Sequence, residues 1–286
     1  MVGGEEIVPR SRTFIPSRVE DNPFLMSTGY KATLQSLPEP LRSQMLRGDF
    51  TAGREDHPWQ IIPSGWVIAA QNRWTPKHPS HPMSSMGVDV AMGGRDQTVL
   101  MARYGDWYDE PKVYPGTQTT DSRITAGLVL SNLKDGAPAC IDVVGPGGEV
   151  YGHLDGQGVA CVAMSGGKPS GGHDRSGRLK FANKRAEWYW RMREALDPHA
   201  EYPISLPPNM TLRADLCAAR WNHPLGRIQV EEKKDIIKRL GRSPDYGDAC
   251  VYALIDVPIN RRGKRKKGVV EVEGVGSYNP LRYGRN

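Results

Sequence analysis

The run MGVDVAMGGRDQTVLMARY, residues 86–104, sets a carboxylate inside a short apolar stretch and then turns the chain back on itself. Val88, Val90, Val99 and Leu100 are strand formers, and the glycine turn between them predicts strand, turn, strand. Asp89 is costly in the first of these strands unless hydrogen-bond donors or a bound cation compensate it. Whatever else the chain does, it must bring such groups to this place.

Downstream, the pattern predicts a third strand within 109–118, around Lys112–Tyr114, and short strands joined by turns favour antiparallel pairing. Thr120 or Asp121 can cap a helix with apolar positions Ile124, Leu128 and Leu133, ended by Gly136. The run ACIDVV (139–144) follows as a strand with Asp142 embedded in it, and the intervening helix is the crossover a parallel strand needs. A short helix at 149–154 and a strand at 159–164 continue the alternation. The expected class is α/β, a mixed central sheet flanked by helices.

Phe181–Leu196 is the longest expected helix, with Phe181, Trp188, Met192 and Leu196 at helical spacing. A helix at 211–220, a strand at 227–230 and a charged segment at 231–239 come next. In GRSPDYGDACVYALIDVP, Ser243 suits an N-cap, Pro244 the first helical position and Asp245 the positive helix end. Asp248, three residues on, shares a face with Asp245.

Residues 1–82 read as an arm and linker, 83–258 as the main domain and 259–286 as a basic tail containing RRGKRKK. The arm holds two short amphipathic helices, 30–37 and 39–46, whose apolar side (Leu34, Leu37, Leu41, Met45, Leu46) is too small for a core of its own. Residues 50–82 read as an irregular connector, with Trp59, Trp66 and Trp74 assigned to packing in preference to base stacking. The formal charge of +6 is compatible with a polyanionic partner without requiring one. Four widely spaced cysteines without a CxxC pair predict buried thiols, neither a disulfide framework nor a thiolate zinc site. No apolar stretch is long enough for a bilayer and no signal-peptide order is present, so a cytoplasmic protein with no membrane partner is expected.

Asp89 and Asp142, each flanked by apolar neighbours in a strand, are poorly explained as turn or cap residues. If their strands lie side by side and the last helix packs over them, Asp248 joins both. Three such carboxylates repel one another, and divalent cations remove that cost. Hard oxygen ligands suit Mg²⁺ or Mn²⁺, and a pair of ions ~3.5–4 Å apart suits phosphodiester hydrolysis. Asp89 is the candidate bridging ligand, Asp142 completes one ion and Asp248 the other. Asp245 and Asp96 are candidate helpers, although a helix N-terminus and a glycine turn also account for them. The loop SGGKPSGGHDRSGRLK (165–180) lacks the GxxxxGK[ST] spacing of a phosphate loop. It reads as a flexible basic strip able to follow a nucleic-acid backbone, or as an ordinary solvated loop. With it, Lys168, Arg175, Arg178, Lys180, Lys184, Arg185 and Arg242 are the candidate DNA-binding residues.

Four blocks, GVDVAMGGRDQTV, CIDVVGPGGEVYGHL, FANKRAEWYWRMREAL and GRIQVEEKKDIIKRLGRSPDYGDACVYAL, resemble in that order the nuclease domain of tailed-phage large terminases, DNA-packaging proteins of the ribonuclease H-like superfamily. The upstream segment from Arg10 to Phe50 resembles the end of the packaging ATPase region, and the resemblance covers about residues 10–256. It implies a ribonuclease H-like sheet and metal-dependent cleavage of concatemeric double-stranded viral DNA, with Asp89, Asp142 and Asp248 as the acids. It also implies a portal protein, a small terminase subunit and a packaging ATPase as partners, in the host cytoplasm and transiently at the procapsid portal vertex. The ATPase Walker motifs are absent, so translocation would belong to a missing region or a separate subunit. Two alternatives share the same residues: a junction resolvase or recombinase of the same superfamily, and a non-catalytic DNA-tethering subunit.

Overall fold

The computed structural model describes residues 22–35 and 56–254, in two compact units that divide after Asp56. The expected arm before residue 22, the second amphipathic helix at 39–46 and the basic tail lie outside the described residues. In the first unit, α1 (Pro23–Met26) is capped by Asn22, whose side chain accepts from the Phe24 and Leu25 amides, and α2 (Tyr30–Gln35) buries Leu34.

In the second unit, β1 (Ser85–Asp89) runs antiparallel to β2 (Gln97–Tyr104), as the strand–turn–strand reading expects. Along its other edge β2 pairs with β3 (Trp107–Tyr108) and with β4 (Lys112–Pro115). After α4 (Ser122–Asn132), β5 (Ala139–Asp142) lies parallel to β1, and after α5 (Gly147–Gly156), β6 (Cys161–Met164) lies parallel to β5. The mixed sheet has six strands in the order β3-β2-β1-β5-β6, with β4 beside β2. A helix-bearing crossover places β5 next to β1, because a parallel neighbour cannot be reached by a tight turn.

Alternation along the strands splits the interior. Val88, Leu100 and Ile141 face Ala126 and Val129 of α4 and Val150 and Leu154 of α5. Val99 and Met101 face the opposite side, under α6 (Lys184–Leu196), α7 (Met210–Ala218) and α9 (Asp245–Ala253). Helix α9 lies directly on β1, because Gly87 has no side chain there. A Cβ at Gly87 would stand 1.9 Å from the Ala249 carbonyl oxygen. The buried Arg103 side chain donates to Ser85 Oγ (3.2 Å) and to the Ala253 carbonyl (2.6 Å), a cation at the negative end of α9.

Several expectations are corrected. The expected irregular connector contains a helix: α3 (Ser64–Arg73) follows Pro63, and Ile61, Ile62, Val67 and Ala70 belong to the core, while 74–82 carries no helix or strand. The flanking prolines hid a helix that Pro63 in fact starts. Helix α4 buries Thr125, Ala126 and Val129, whereas Ile124 is 52% exposed. Phe181 precedes α6 and lies in β7 (Lys180–Phe181), which pairs with β9 (Arg227–Val230), itself paired with β8 (Trp221–Asn222). This small second sheet joins segments that no local pattern links. The charged segment 231–239 is largely α8 (Lys233–Leu240), ended by Gly241 at φ 75°. Ser243 does not cap α9; Pro244 stands at that position without a side-chain acceptor. All four cysteines are free, and among the described residues no helix is long and apolar enough to cross a membrane.

Candidate metal centre

Strand register brings the first two acids together. Met86, Gly87 and Val88 lie opposite Ala139, Cys140 and Ile141, so the same parallel offset carries Asp89 and Asp142 to neighbouring strand ends. Asp89 shares Gly87's face of the sheet, the face that α9 covers. On α9, Asp245, Asp248 and Tyr252 recur at spacings of three and four and point the same way. Asp89, Asp245 and Asp248 are all buried, and Asp142 is half-buried.

A lysine holds the centre of this group. Lys233, the first residue of α8, places Nζ 2.8 Å from Asp248 Oδ2 and 3.6 Å from Asp89 Oδ2. Tyr189 donates its hydroxyl to Asp248 Oδ1 at 2.6 Å, and the Arg185 guanidinium lies 4.9 Å over the Tyr189 ring. Tyr252 donates to Asp142 Oδ2 at 3.1 Å, and the Val144 amide donates to Asp142 Oδ1 at 2.9 Å. Asp245 Oδ2 accepts the Gln97 amide at 3.1 Å, tying α9 to β2. Asp96 is exposed in the turn before β2, where its charge raises the pKa of Asp245.

The environments push the two central acids apart. Burial drives the Asp89 carboxyl well above the usual carboxylate range; Lys233 pulls it back, while Asp248, Asp245 and Asp142 push it further up. Burial also opposes ionisation of Asp248, but the Lys233 and Arg185 charges and the hydrogen bonds from Lys233 and Tyr189 outweigh it, and its pKa is lowered. Asp142 and Asp245 are raised, in both cases chiefly by burial. Lys233 is raised: burial opposes its charge, and the acids around it overcome that.

The donor set fits a hard divalent cation. Its acids are oxygen ligands, and Asp89 Oδ2 is buried with no hydrogen-bond partner, an orphan that a cation would satisfy. As they stand, the acids surround an ammonium, and among the described residues no three His, Cys, Asp or Glu groups close tightly enough to hold an ion.

No family model matches the chain, and no curated protein matches it in sequence. Solved structures do. The nuclease domain of the large terminase subunit gp2 of bacterial virus Sf6 superposes with a TM-score of 0.52 at 18% identity, covering 68% of this chain and 97% of that domain. A variant of that domain with manganese and beta-thujaplicinol gives 0.53 at 17% identity over 68% of this chain and 97% of its own. A variant with calcium gives 0.53 at 17%, over 68% and 98%. The fold is that of a large-terminase nuclease domain.

Within this terminase nuclease fold the expected basic strip is hydrogen-bonded to a neighbouring helix and is not uniformly free. Residues 165–180 are pinned to α6: the Lys184 and Arg185 amides donate to Lys168 and Gly166 carbonyls, and Ser170 Oγ donates to the buried Glu187 at 2.7 Å. Asp174 accepts from the Arg178 and Leu179 amides, and Arg191 donates to the His173 carbonyl. Glycine content suggests flexibility, whereas the bonds to Lys184, Arg185, Glu187 and Arg191 come from a helix beyond the loop. Lys168, Arg175, Arg178 and Lys180 are exposed. Arg175 nevertheless donates to the Glu194 carbonyl, Lys184 pairs with Glu187 at 3.1 Å, and Arg242 lies 2.6 Å from Asp215. Arg185 donates to the Glu231 carbonyl beside the acidic site.

Sequence reasoning missed Lys233, Tyr189, Tyr252 and Asp215. Lys233 sits in the run EEKKD, where nothing separates it from Lys234, an exposed neighbour paired with Glu232. Tyr189 and Tyr252 read locally as apolar helix positions.

Proposed function

We propose that the chain is a metal-dependent endonuclease that cuts concatemeric double-stranded viral DNA during genome packaging. The observation that carries this reading is the buried Asp89 Oδ2, without a hydrogen-bond partner and facing Asp248 across a single ammonium, on a terminase nuclease fold. Asp89, Asp142 and Asp248 would hold the ions, with Asp245 and Asp96 as helpers. Mg²⁺ or Mn²⁺ suits the oxygen donors, and the Sf6 domain has been solved with manganese and with calcium. Two such ions would supply an activated water and a charge to stabilise the departing oxygen.

The protein's own groups prepare the site. Tyr189 fixes the rotamer of Asp248; Tyr252 and the Val144 amide orient Asp142, as outer partners orient ligating carboxylates. Lys233 balances the acids before a cation arrives, and 39% of its side-chain surface reaches solvent, which gives it a direction in which to withdraw. Exposed Lys168, Arg178 and Lys180 offer phosphate contacts, which add affinity without reading sequence. In this reading the partners are a portal protein, a small terminase subunit and a packaging ATPase region or subunit. The site of action is the host cytoplasm and, transiently, the procapsid portal vertex.

The test is digestion of supercoiled plasmid with Mg²⁺, Mn²⁺ or EDTA by the wild-type chain and by Asp89→Asn. Metal-dependent nicking lost in the variant is expected. Equal nicking by the two would sink the assignment. Preference for branched DNA over linear duplex would move it to a resolvase.

A further inference from the structure

Helix α9 carries Asp245 and Asp248, yet it has no cap of its own: Pro244 offers no side-chain acceptor. The missing acceptor comes from α7. Asp215, fully buried, accepts with Oδ2 from the Tyr246 amide at 3.1 Å and the Gly247 amide at 3.2 Å. Its Oδ1 lies 2.6 Å from Arg242 Nη2 in an ion pair. A carboxylate is kept this far from water only where donors and an opposite charge compensate it, and here both belong to the turn that opens α9. Arg242 also donates to the Ser243 and Thr211 carbonyls, tying that turn to α7. A Cβ on Gly247 would stand 2.8 Å from Asp215 Cβ, so the close approach requires glycine there.

We propose that Asp215 is a positioning residue of the acidic site: acting from α7 through the amides of Tyr246 and Gly247, it sets the height and rotation of α9 so that Asp248 faces Asp89. An anion at the N-terminus of α9 opposes the Arg103 cation at its C-terminus, each matched to the helix dipole. The helix is therefore held at both ends by buried charges, with Gly87 beneath it. The consequence for metal binding rests on the functional reading above; the consequence for the helix does not.

The experiment uses the full chain as wild type, Asp215→Ala and Asp215→Asn, the last keeping an acceptor oxygen and the side-chain size. Three quantities are measured below each melting temperature: Mn²⁺ affinity by calorimetry, amide exchange along α9, and folding by circular dichroism. Asp215→Ala is expected to bind Mn²⁺ about 10- to 100-fold more weakly, the usual effect of losing an outer partner of a metal ligand. Its amides at 246–248 should open to exchange while the end of α9 held by Arg103 stays protected. Asp215→Asn should recover most of both. A folded Asp215→Ala protein with wild-type Mn²⁺ affinity and unchanged exchange at 246–248 would overturn the proposal and leave Asp215 a stability residue only. Should the alanine variant fail to fold, Arg242→Gln decides: a severalfold loss of Mn²⁺ affinity with faster exchange at 246–248 supports the role, and wild-type values of both oppose it. A wild type that binds no Mn²⁺ would overturn the metal reading instead, and exchange confined to 246–248 would still uphold the positioning of α9.

Discussion

The Lys233 ammonium lies 2.8 Å from the Asp248 carboxylate, so an acidic site proposed to take divalent ions is balanced by a side chain of the same protein. An ion entering between Asp89 and Asp248 must displace that charge. Lys233→Met should therefore bind Mn²⁺ about tenfold more tightly, a gain of roughly 1.4 kcal/mol. The same variant should be less stable without metal, because two acids then face each other uncompensated. Lys233 is partly exposed and the pair is screened, so the loss is about 1–2 kcal/mol, a few degrees in melting temperature. Calorimetry and thermal melting check both, and weaker Mn²⁺ binding would contradict the displacement.

Asp89→Asn and Asp248→Asn should both reduce metal-dependent nicking by about a thousandfold, roughly 4 kcal/mol of barrier. Their effects on metal-free stability should have opposite signs. The folded-state pKa of Asp89 is raised, so its charged form costs stability near neutral pH and the amide relieves that cost. The folded-state pKa of Asp248 is lowered, so its charge contributes stability above the unfolded value, and the amide forfeits it. Melting curves at pH 7 in EDTA distinguish them; shifts of one sign would refute the asymmetry.

Gly87→Ala should damage the site from beneath. Its Cβ would fall 1.9 Å from the Ala249 carbonyl oxygen and 2.6 Å from the Ala253 nitrogen, both backbone atoms of α9. The helix must lift, costing at least the ~1–3 kcal/mol usual for overpacking and carrying Asp248 away from Asp89. Gly127, on the exposed side of α4 with nothing within 4 Å, is the control. There alanine should stabilise by about 0.5–1 kcal/mol and leave Mn²⁺ affinity unchanged.

Stability should fall with rising pH in the weakly acidic range. Burial pushes the Asp215 carboxyl up from 3.8 to about 6, against the pull of Arg242 and the Gly247 amide. Between those values the native state still holds a proton that the unfolded chain has released. That contribution, on the order of 3 kcal/mol, is fully present below about 3.8 and is lost as pH climbs through about 6. Asp215→Asn should flatten the melting temperature between pH 4 and 6.5 in EDTA. Asp89, Asp142 and Asp245, also raised, leave a residual slope of the same sign.

Local pattern was sufficient for much of the frame. Apolar alternation around Asp89 and Asp142 is a short-range signal, and β1, β2, β5 and β9 lie where it puts them. The cost of burying those acids singly points to a shared site, and the SPDYGD turn opens α9. The pairing of β7 with β9, the core role of residues 61–70 and the pinning of 165–180 were not legible, because each depends on partners outside the local segment.

The amino-acid sequence by itself determined the α/β alternation and which acids are too costly to bury alone, since both follow from the character of each residue and its immediate neighbours. Tertiary structure alone decided that a lysine fills the space between Asp89 and Asp248, that tyrosines orient two of the acids, and that Asp215 caps a helix it does not belong to. Those relations are set by the distance between segments once α9 settles on Gly87, and a charge or hydroxyl carries no local mark of the partner it will meet.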